Sequence, residues 1–276
     1  MANTTQLNTN TDWRNATGPI DYTMTNDVMF RMVLQSNENV LRGLISSMLH
    51  IPINDIVSTT IMNPVKPADY LSGKSFTLDV KVLLNNKSII NLEMQVSNKG
   101  DWINRSLSYL CRTFDNVLRG ASYNSAIAVT HIGFLDFNLF PDENEFYSRF
   151  MLQNVNTHRI YNDNFCLNVL SLNKIDNATE EDKKWHIDEW ARLFKATTWE
   201  EIKMLASKDK VYSEMANSMF LQNTDDVTRQ ICEARREAEQ YEEYILQQIE
   251  EKDALLQEKD ALIEELQAKL ASLENS

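Results

Sequence analysis

The stretch "LDVKVLLNNKSIINLEMQV", from Leu78 to Val96, contains two alternating apolar segments separated by an Asn-Asn-Lys turn. Such alternation is typical of half-buried strands, so the stretch predicts a β-hairpin. Residues two apart in a strand share a face. One face of the second strand is wholly apolar, with Ile90, Leu92, Met94 and Val96, and the other carries Ile89, Asn91, Glu93 and Gln95. The apolar face is expected to pack against helices.

The length of the hairpin loop decides which residue faces Asp79. A three-residue loop pairs Leu84 with Ser88. Counting outward from that pair sets Asp79 opposite Glu93. A two-residue loop would set Asp79 against the apolar face, because a slip of one residue exchanges the faces of a strand. The pattern therefore favours the three-residue loop, or another loop of odd length.

Opposed carboxylates on one face of a sheet repel each other unless a proton or a cation lies between them. Hard oxygen ligands suit Mg²⁺ or Mn²⁺ rather than zinc. An ion held by Asp79 and Glu93 could lower the pKa of a bound water and neutralise charge that develops on a phosphate, and Gln95 could position that water. The hairpin thus predicts a metal site, with a solvated polar face as the alternative that the pattern leaves open.

The elements around the hairpin predict an α/β fold. Apolar residues at spacings of three and four predict a helix from Asn26 to His50, with a break near Ser36 and Asn37. Further strands are predicted at 56–62, 125–134, 146–153 and 165–172, and further helices at 102–118, 180–194, 199–206 and 211–220. The order helix, strand, hairpin, helix, strand indicates a mixed sheet flanked by helices.

The charge of the chain is uneven. The net charge of the 276 residues is −13, which by itself argues against a nucleic-acid partner. However, 15 acidic and 6 basic residues lie in the last 52 residues, which leaves 25 acidic and 21 basic residues before them. The main body is only mildly acidic and can carry a local basic patch.

The acidic C-terminal segment, 225–276, predicts one long helix. "EKDALLQ" at 251–257 is followed by "EKDALIE" at 258–264, a period of seven that gives the helix coiled-coil character. We predict homo-oligomerisation through this helix, although Lys252 and Lys259 fall on the seam and a single solvated helix is the alternative reading.

Localisation and redox state follow from simple absences in the sequence. The chain has no run of eighteen apolar residues, which predicts no membrane span. Its first twenty residues lack the basic start and apolar segment of a secretory signal, so we expect a cytoplasmic protein. Three cysteines without paired spacing predict reduced thiols rather than disulfides or zinc sites.

Four pieces of sequence occur in an order that resembles a known family. They are "TNDVMFRMVL" in the first helix, "LDV", "LEMQ" and "NRSLSYLCRTF" in the next helix. This ordered set resembles the PD-(D/E)XK nuclease family transposases, the group that includes the Rpn recombination-promoting nucleases. The resemblance covers roughly residues 22–222. It implies a core of the restriction-endonuclease type and metal-dependent cleavage of DNA.

The resemblance also implies roles for single residues. Asp79 and Glu93 would be the metal ligands for Mg²⁺ or Mn²⁺, and Gln95 would occupy the place where the wider superfamily has lysine. Asp27 would correspond to the acidic residue that the superfamily often supplies from the first core helix. On the next helix, Arg105 and Tyr109 match the family's "R…Y" and would contact phosphate or orient the metal carboxylates.

These inferences predict four segments: a disordered tail at 1–20, a nuclease core at 21–135, a family-specific extension at 136–224 and the acidic helix at 225–276. The leading functional hypothesis is a Mg²⁺-dependent DNA endonuclease. The alternative is a catalytically weak DNA-binding or oligomerising protein that keeps the nuclease fold.

Overall fold

A computed structural model describes residues 12–64, 80–116, 120 and 122–274 of the chain. Asp79 and most of the predicted tail lie outside these described residues. Within residues 12–20 the chain is ordered: Trp13 is buried, and the backbone N–H of Ile20 donates to the Thr197 carbonyl over 2.8 Å. The disordered tail predicted over 1–20 is therefore wrong from Asp12 onward.

The described residues form a six-stranded mixed sheet in the order β1-β2-β3-β4-β6-β5. The strands are β1 (Thr59–Ile61), β2 (Val80–Leu84), β3 (Ser88–Gln95), β4 (Ala128–Leu135), β5 (Tyr147–Gln153) and β6 (Ile160–Ser171). Strands β3, β4 and β6 are parallel neighbours at the centre, and the remaining pairings are antiparallel. The predicted mixed sheet flanked by helices is confirmed.

The hairpin of β2 and β3 has the register derived from the sequence. Leu84 pairs with Ser88 across a three-residue loop, and Val80 pairs with Leu92 at the far end of the described ladder. The loop turns because Asn85 and Asn86 adopt left-handed conformations, with φ of 51° and 53°, which asparagine tolerates better than most residues.

Asn85 also ties the hairpin to the chain before β1. Its side-chain oxygen accepts hydrogen bonds from the backbone N–H groups of Val57 and Ser58, and its amide group donates to the Asp55 carbonyl over 2.8 Å. We expect Asn85→Ala to lower the free energy of unfolding by about 2 kcal/mol in urea denaturation, because it removes these bonds and strains the left-handed backbone. Asn86→Gly is the matched control and should change stability by less than about 0.5 kcal/mol. Equal losses in the two variants would contradict this role.

Eight α-helices lie in the described residues. They are α1 (Asp27–Ser36), α2 (Glu38–Leu49), α3 (Trp102–Phe114), α4 (Glu180–Lys184), α5 (Ile187–Lys195), α6 (Trp199–Ala206), α7 (Lys210–Thr224) and α8 (Asp226–Glu274). The predicted break between α1 and α2 is confirmed. It occurs at Asn37, whose side-chain oxygen accepts from the backbone N–H groups of Asn39 and Val40 and so caps α2.

Two predicted elements differ from the structure. The helix predicted over 180–194 is two helices, α4 and α5, because His186 adopts a left-handed conformation with φ of 59° between them. The strand predicted over 56–62 is only the three residues of β1, since a turn of 3₁₀ helix at Ile53–Asp55 occupies the approach to it.

The two faces of the sheet are covered differently. The apolar face of β3, with Ile90, Leu92 and Met94, packs into the main core together with α1, α2, α5, α6 and α7. On the opposite face Ile89 packs with Leu110 of α3, which connects β3 to its parallel neighbour β4. Strands from the predicted extension, β5 and β6, belong to the same sheet as the predicted nuclease core.

The chain divides into two compact units, one ending at Glu233 and the other beginning at Ala234. In the first unit, Asp21 pairs with Arg229 and Tyr22 donates to Glu233. The second unit is the rest of α8. Within the described part of the chain, no helix combines the length and apolar character needed to cross a membrane.

Candidate active site

The polar face of β3 is buried rather than solvated. Asn91, Glu93 and Gln95 are 3%, 8% and 7% exposed, and all three lie on the face covered by α3. Alternation along the strand places them side by side, since residues two apart share a face. The solvated polar face that the sequence left open is therefore wrong for these three residues. Burying a carboxylate is costly without compensating partners, so its surroundings indicate what the face does.

Arg105 of α3 provides the positive charge of this face. Its guanidinium donates to one carboxylate oxygen of Glu93 and to the side-chain oxygen of Gln95. The Gln95 amide group donates to the Ser97 carbonyl over 3.0 Å, which fixes the side chain with its oxygen toward Arg105. Gln95 therefore presents an acceptor to the site, whereas the cation comes from the helix.

His131 of β4 lies on the other side of Glu93. The parallel register pairs His131 with Asn91 and Gly133 with Glu93. The Asn91 Nδ2 atom lies 2.8 Å from His131 Nδ1, and His131 Nε2 lies 3.4 Å from Glu93 Oε2. His131 is fully buried. Asn91, His131 and Glu93 thus form a continuous polar row across two central strands.

Five buried side-chain polar atoms of this face have no hydrogen-bond partner within the described residues. They are Asn91 Oδ1, Glu93 Oε2, Trp102 Nε1, Arg105 Nε and His131 Nε2. Most buried polar groups in proteins are hydrogen-bonded, because an unpaired group loses its interaction with water and gains nothing in return. A cluster of unpaired donors and acceptors next to a carboxylate is typical of a site that binds a polar group or an ion.

Trp102 closes the face at the start of α3. Its ring lies 5.7 Å from the His131 ring and 5.7 Å from the Arg105 guanidinium, and the residue is 2% exposed. The ring fits because position 133 is glycine: a Cβ atom on Gly133 would lie 2.2 Å from Trp102 Cζ2. The half-buried Tyr109 ring, one turn of α3 beyond Arg105, lies 6.4 Å from the His131 ring.

Asp27 belongs to the helix that packs on the other face of the sheet. It begins α1, whose apolar residues pack on the opposite face of the sheet from Glu93, and it is 5% exposed. Burial and the negative charge of Asp27 raise the pKa of the Cys232 thiol to about 12. One turn further along α1, the fully buried Arg31 donates to the Asn63 carbonyl, close to the strands β1 and β2.

Asp79 lies outside the described residues, so its pairing with Glu93 stays a prediction. Among the residues that are described, no group of three His, Cys, Asp or Glu side chains is arranged to hold a metal ion. The described part of the face supplies one carboxylate, that of Glu93, and two side-chain amide oxygens, those of Asn91 and Gln95.

Sequence reasoning missed His131, Asn91 and Trp102. The four histidines of the chain have no metal-binding spacing, and Asn91 shares a face with Glu93 but belongs to no motif that assigns it a role. The available signal was a histidine in the middle of a strand otherwise rich in apolar residues, next to a strand with a polar face. Only the pairing of β3 with β4 brings the two together.

Comparison with known proteins identifies a family for the chain. The family model described as PD-(D/E)XK nuclease family transposase matches residues 24–248, most of the chain. The matched range includes α1, the hairpin, α3 and all six strands. Neither the curated proteins nor the solved structures contain a significant match.

Proposed function

The chain belongs to the PD-(D/E)XK nuclease family transposases, and from that membership we propose that it is a metal-dependent endonuclease that hydrolyses DNA phosphodiester bonds. Membership of this family supports a nuclease function and implies DNA as the substrate. The proposal assigns the reaction to the face of β3 that carries Glu93 and Gln95.

The observation that supports this assignment best is the set of unpaired polar atoms around Glu93. Its Oε2 atom is buried without a hydrogen bond in the described chain and lies 3.4 Å from His131 Nε2, which also makes none. Structural ion pairs normally satisfy their buried oxygens. An incompletely satisfied carboxylate in a polar cluster is instead a property of functional sites.

The donor set fits Mg²⁺ or Mn²⁺. Glu93 Oε2 is a buried oxygen that an ion could bind. We propose Asp79 as the second carboxylate, because the observed β2–β3 register is the same register that predicts the pairing of Asp79 with Glu93. A bound divalent ion would activate water and stabilise charge on the phosphate. Gln95 would hold a water or ligand through its amide oxygen, which Ser97 keeps directed into the site.

Arg105 replaces the charge that the wider superfamily supplies from lysine at the position of Gln95. Its guanidinium is hydrogen-bonded to Glu93 and Gln95 together, and its side chain is 26% exposed, so it is both anchored and within reach of solvent. We propose that Arg105 orients Glu93 and contacts a phosphate of the substrate. Tyr109, one turn further along α3, is the proposed second substrate contact.

Asp27 is proposed as an accessory acidic residue. Its helix packs on the other face of the sheet from Glu93. Asp27 could therefore contribute to the same reaction only around the ends of the strands, and not across the sheet. Asp27→Asn is accordingly expected to reduce cleavage less than substitution of Glu93.

Incubation of the purified chain with supercoiled plasmid DNA tests the proposal directly. Nicked or linear product should appear with Mg²⁺ or Mn²⁺ and not with EDTA. Calorimetric titration of the same protein with Mn²⁺ measures metal binding without DNA. No product with either ion, at any DNA concentration tested, would contradict the proposed activity.

A second candidate function is a catalytically weak DNA-binding or oligomerising protein with the nuclease fold. The contact of Arg105 with Glu93 favours it, because a guanidinium that neutralises the carboxylate also competes with a metal ion. Mn²⁺ calorimetry separates the two functions: binding at micromolar to low millimolar concentration supports the enzyme, and absence of binding supports the second candidate.

Homo-oligomerisation through α8 remains part of the proposal. Leu256, Ile263 and Leu266 follow the heptad and are each about half exposed. We expect light scattering of the full chain to give a multiple of its 32.0 kDa mass, and Ile263→Asp to lower that mass by placing a charge on the seam. Gln257→Asp, which adds the same charge away from the seam, should leave the mass unchanged. A single-chain mass for the unmodified protein would contradict the prediction.

A further inference from the structure

The row formed by Asn91, His131 and Glu93 is fixed by the sheet rather than by flexible side chains. Asn91 and Glu93 are two residues apart on β3, and His131 occupies the position on β4 that pairs with Asn91. All three residues are less than a tenth exposed. Because β3 and β4 are central strands with neighbours on both sides, the backbone positions of the row are tightly constrained.

The hydrogen bond from Asn91 selects one tautomer of His131. The Asn91 Nδ2 group has only protons to offer, so His131 Nδ1, 2.8 Å away, must accept. A neutral imidazole that accepts at Nδ1 carries its proton at Nε2. That nitrogen is the one that lies 3.4 Å from Glu93 Oε2.

The opposite tautomer fits the site poorly. It would turn a nitrogen lone pair toward the Glu93 carboxylate, so that Nε2 and Oε2, which are both buried and lie 3.4 Å apart, would be two acceptors facing each other. That tautomer also requires inversion of the Asn91 amide. The amide NH₂ group would then occupy the buried position without a partner that Oδ1 occupies in the structure. The Nε2–H tautomer therefore provides complementary partners for more of the buried polar atoms than the Nδ1–H tautomer with the inverted amide.

We propose that His131, held by Asn91 as the Nε2–H tautomer, is a positioning residue that donates a hydrogen bond to Glu93 and sets the orientation of its carboxylate. The two atoms lie 3.4 Å apart without hydrogen-bond geometry in this structure, and catalytic hydrogen bonds are often long or poorly aligned before substrate binds, so the proposal requires that this contact tighten in the engaged site. Arg105 holds the other Glu93 oxygen, so the two donors fix the carboxylate plane from opposite sides. The consequence for cleavage rests on the proposed endonuclease function, whereas the tautomer does not.

Nitrogen NMR of the imidazole side chains tests the tautomer without any activity. The chain has four histidines, and His131 is identified by the signals lost in His131→Gln. The full-length protein should show His131 protonated at Nε2 and unprotonated at Nδ1, and Asn91→Leu should abolish that fixed state. A His131 protonated at Nδ1 alone, or at both nitrogens, would overturn the proposal.

Cleavage kinetics test the positioning role. His131→Gln places an amide N–H near the position of Nε2 and should retain kcat within about tenfold, whereas His131→Leu should lose about a hundredfold in kcat, within the range measured for partners that orient ligating groups. KM for plasmid DNA should not change in either variant. Equal losses of kcat in the two variants, with both folded by circular dichroism, would overturn the role. An unmodified protein that shows the predicted tautomer but no cleavage would instead defeat the proposed function alone.

Discussion

Glutamine in place of Glu93 should reduce Mg²⁺-dependent nicking of supercoiled DNA by about 10³-fold, which corresponds to roughly 4 kcal/mol of transition-state stabilisation. Glutamine keeps the volume of Glu93 and an oxygen that accepts from Arg105, but it removes the charge proposed to hold the ion. The Arg105 side chain remains 26% exposed, so its charge still reaches water and the fold should survive. Plasmid nicking rates, together with circular dichroism of each variant, measure the effect.

Two further variants make the assignment specific. Asp79→Asn should cause a loss of similar size, because both carboxylates are proposed to hold one ion. Glu38→Gln removes an exposed carboxylate of α2, and this variant should cleave DNA at the rate of the unmodified protein. A fully active Glu93→Gln protein would remove the active site from this face, and a fully active Asp79→Asn protein would remove the proposed pairing.

Alanine at position 133 should lower the free energy of unfolding by about 3 kcal/mol, at the upper end of ordinary overpacking effects. The added Cβ would lie 2.2 Å from Trp102 Cζ2 and 2.7 Å from Cη2, and neither ring atom can move far inside a buried cluster with Leu135 and Val169. Urea denaturation followed by tryptophan fluorescence measures this loss. Because Trp102 also covers His131, cleavage should fall together with stability.

A double-mutant cycle identifies the cause of that loss. Trp102→Leu removes the ring that the new methyl group meets, so Gly133→Ala should cost less than about 1 kcal/mol in that background. Gly100→Ala provides the contrast, since Gly100 has a φ of 72° but no heavy atom within 4 Å of an added Cβ, and its cost is backbone strain alone. Additive losses for Gly133→Ala and Trp102→Leu would contradict the steric explanation.

Local patterns were sufficient to predict the hairpin, its register and the break between α1 and α2. Parity restricted the register to loops of odd length, because an even loop would set Asp79 against the apolar face of β3, and the observed loop has three residues. The break at Asn37 followed from a capping residue inside a helical pattern. Family resemblance then implied a nuclease core, and the match over residues 24–248 confirms the family.

The rest depended on contacts between segments distant in sequence. The burial of the polar face requires α3 to lie over β3, and periodicity does not state which face a connecting helix covers. His131 joins Glu93 only through the parallel pairing of β3 and β4, forty residues from Asn91. The turn at His186 was missed because a left-handed conformation of a single non-glycine residue leaves little trace in composition.

The two borders of the sheet are poor templates for adding another strand. One border is β1, only three residues long, and the other is β5, whose pairing shifts register twice near Leu152 and which carries the exposed Arg149. Short, irregular and charged borders discourage aggregation by strand addition. Both borders of the described sheet therefore resist strand addition, so the self-association proposed for α8 and aggregation through the sheet would depend on different parts of the sequence.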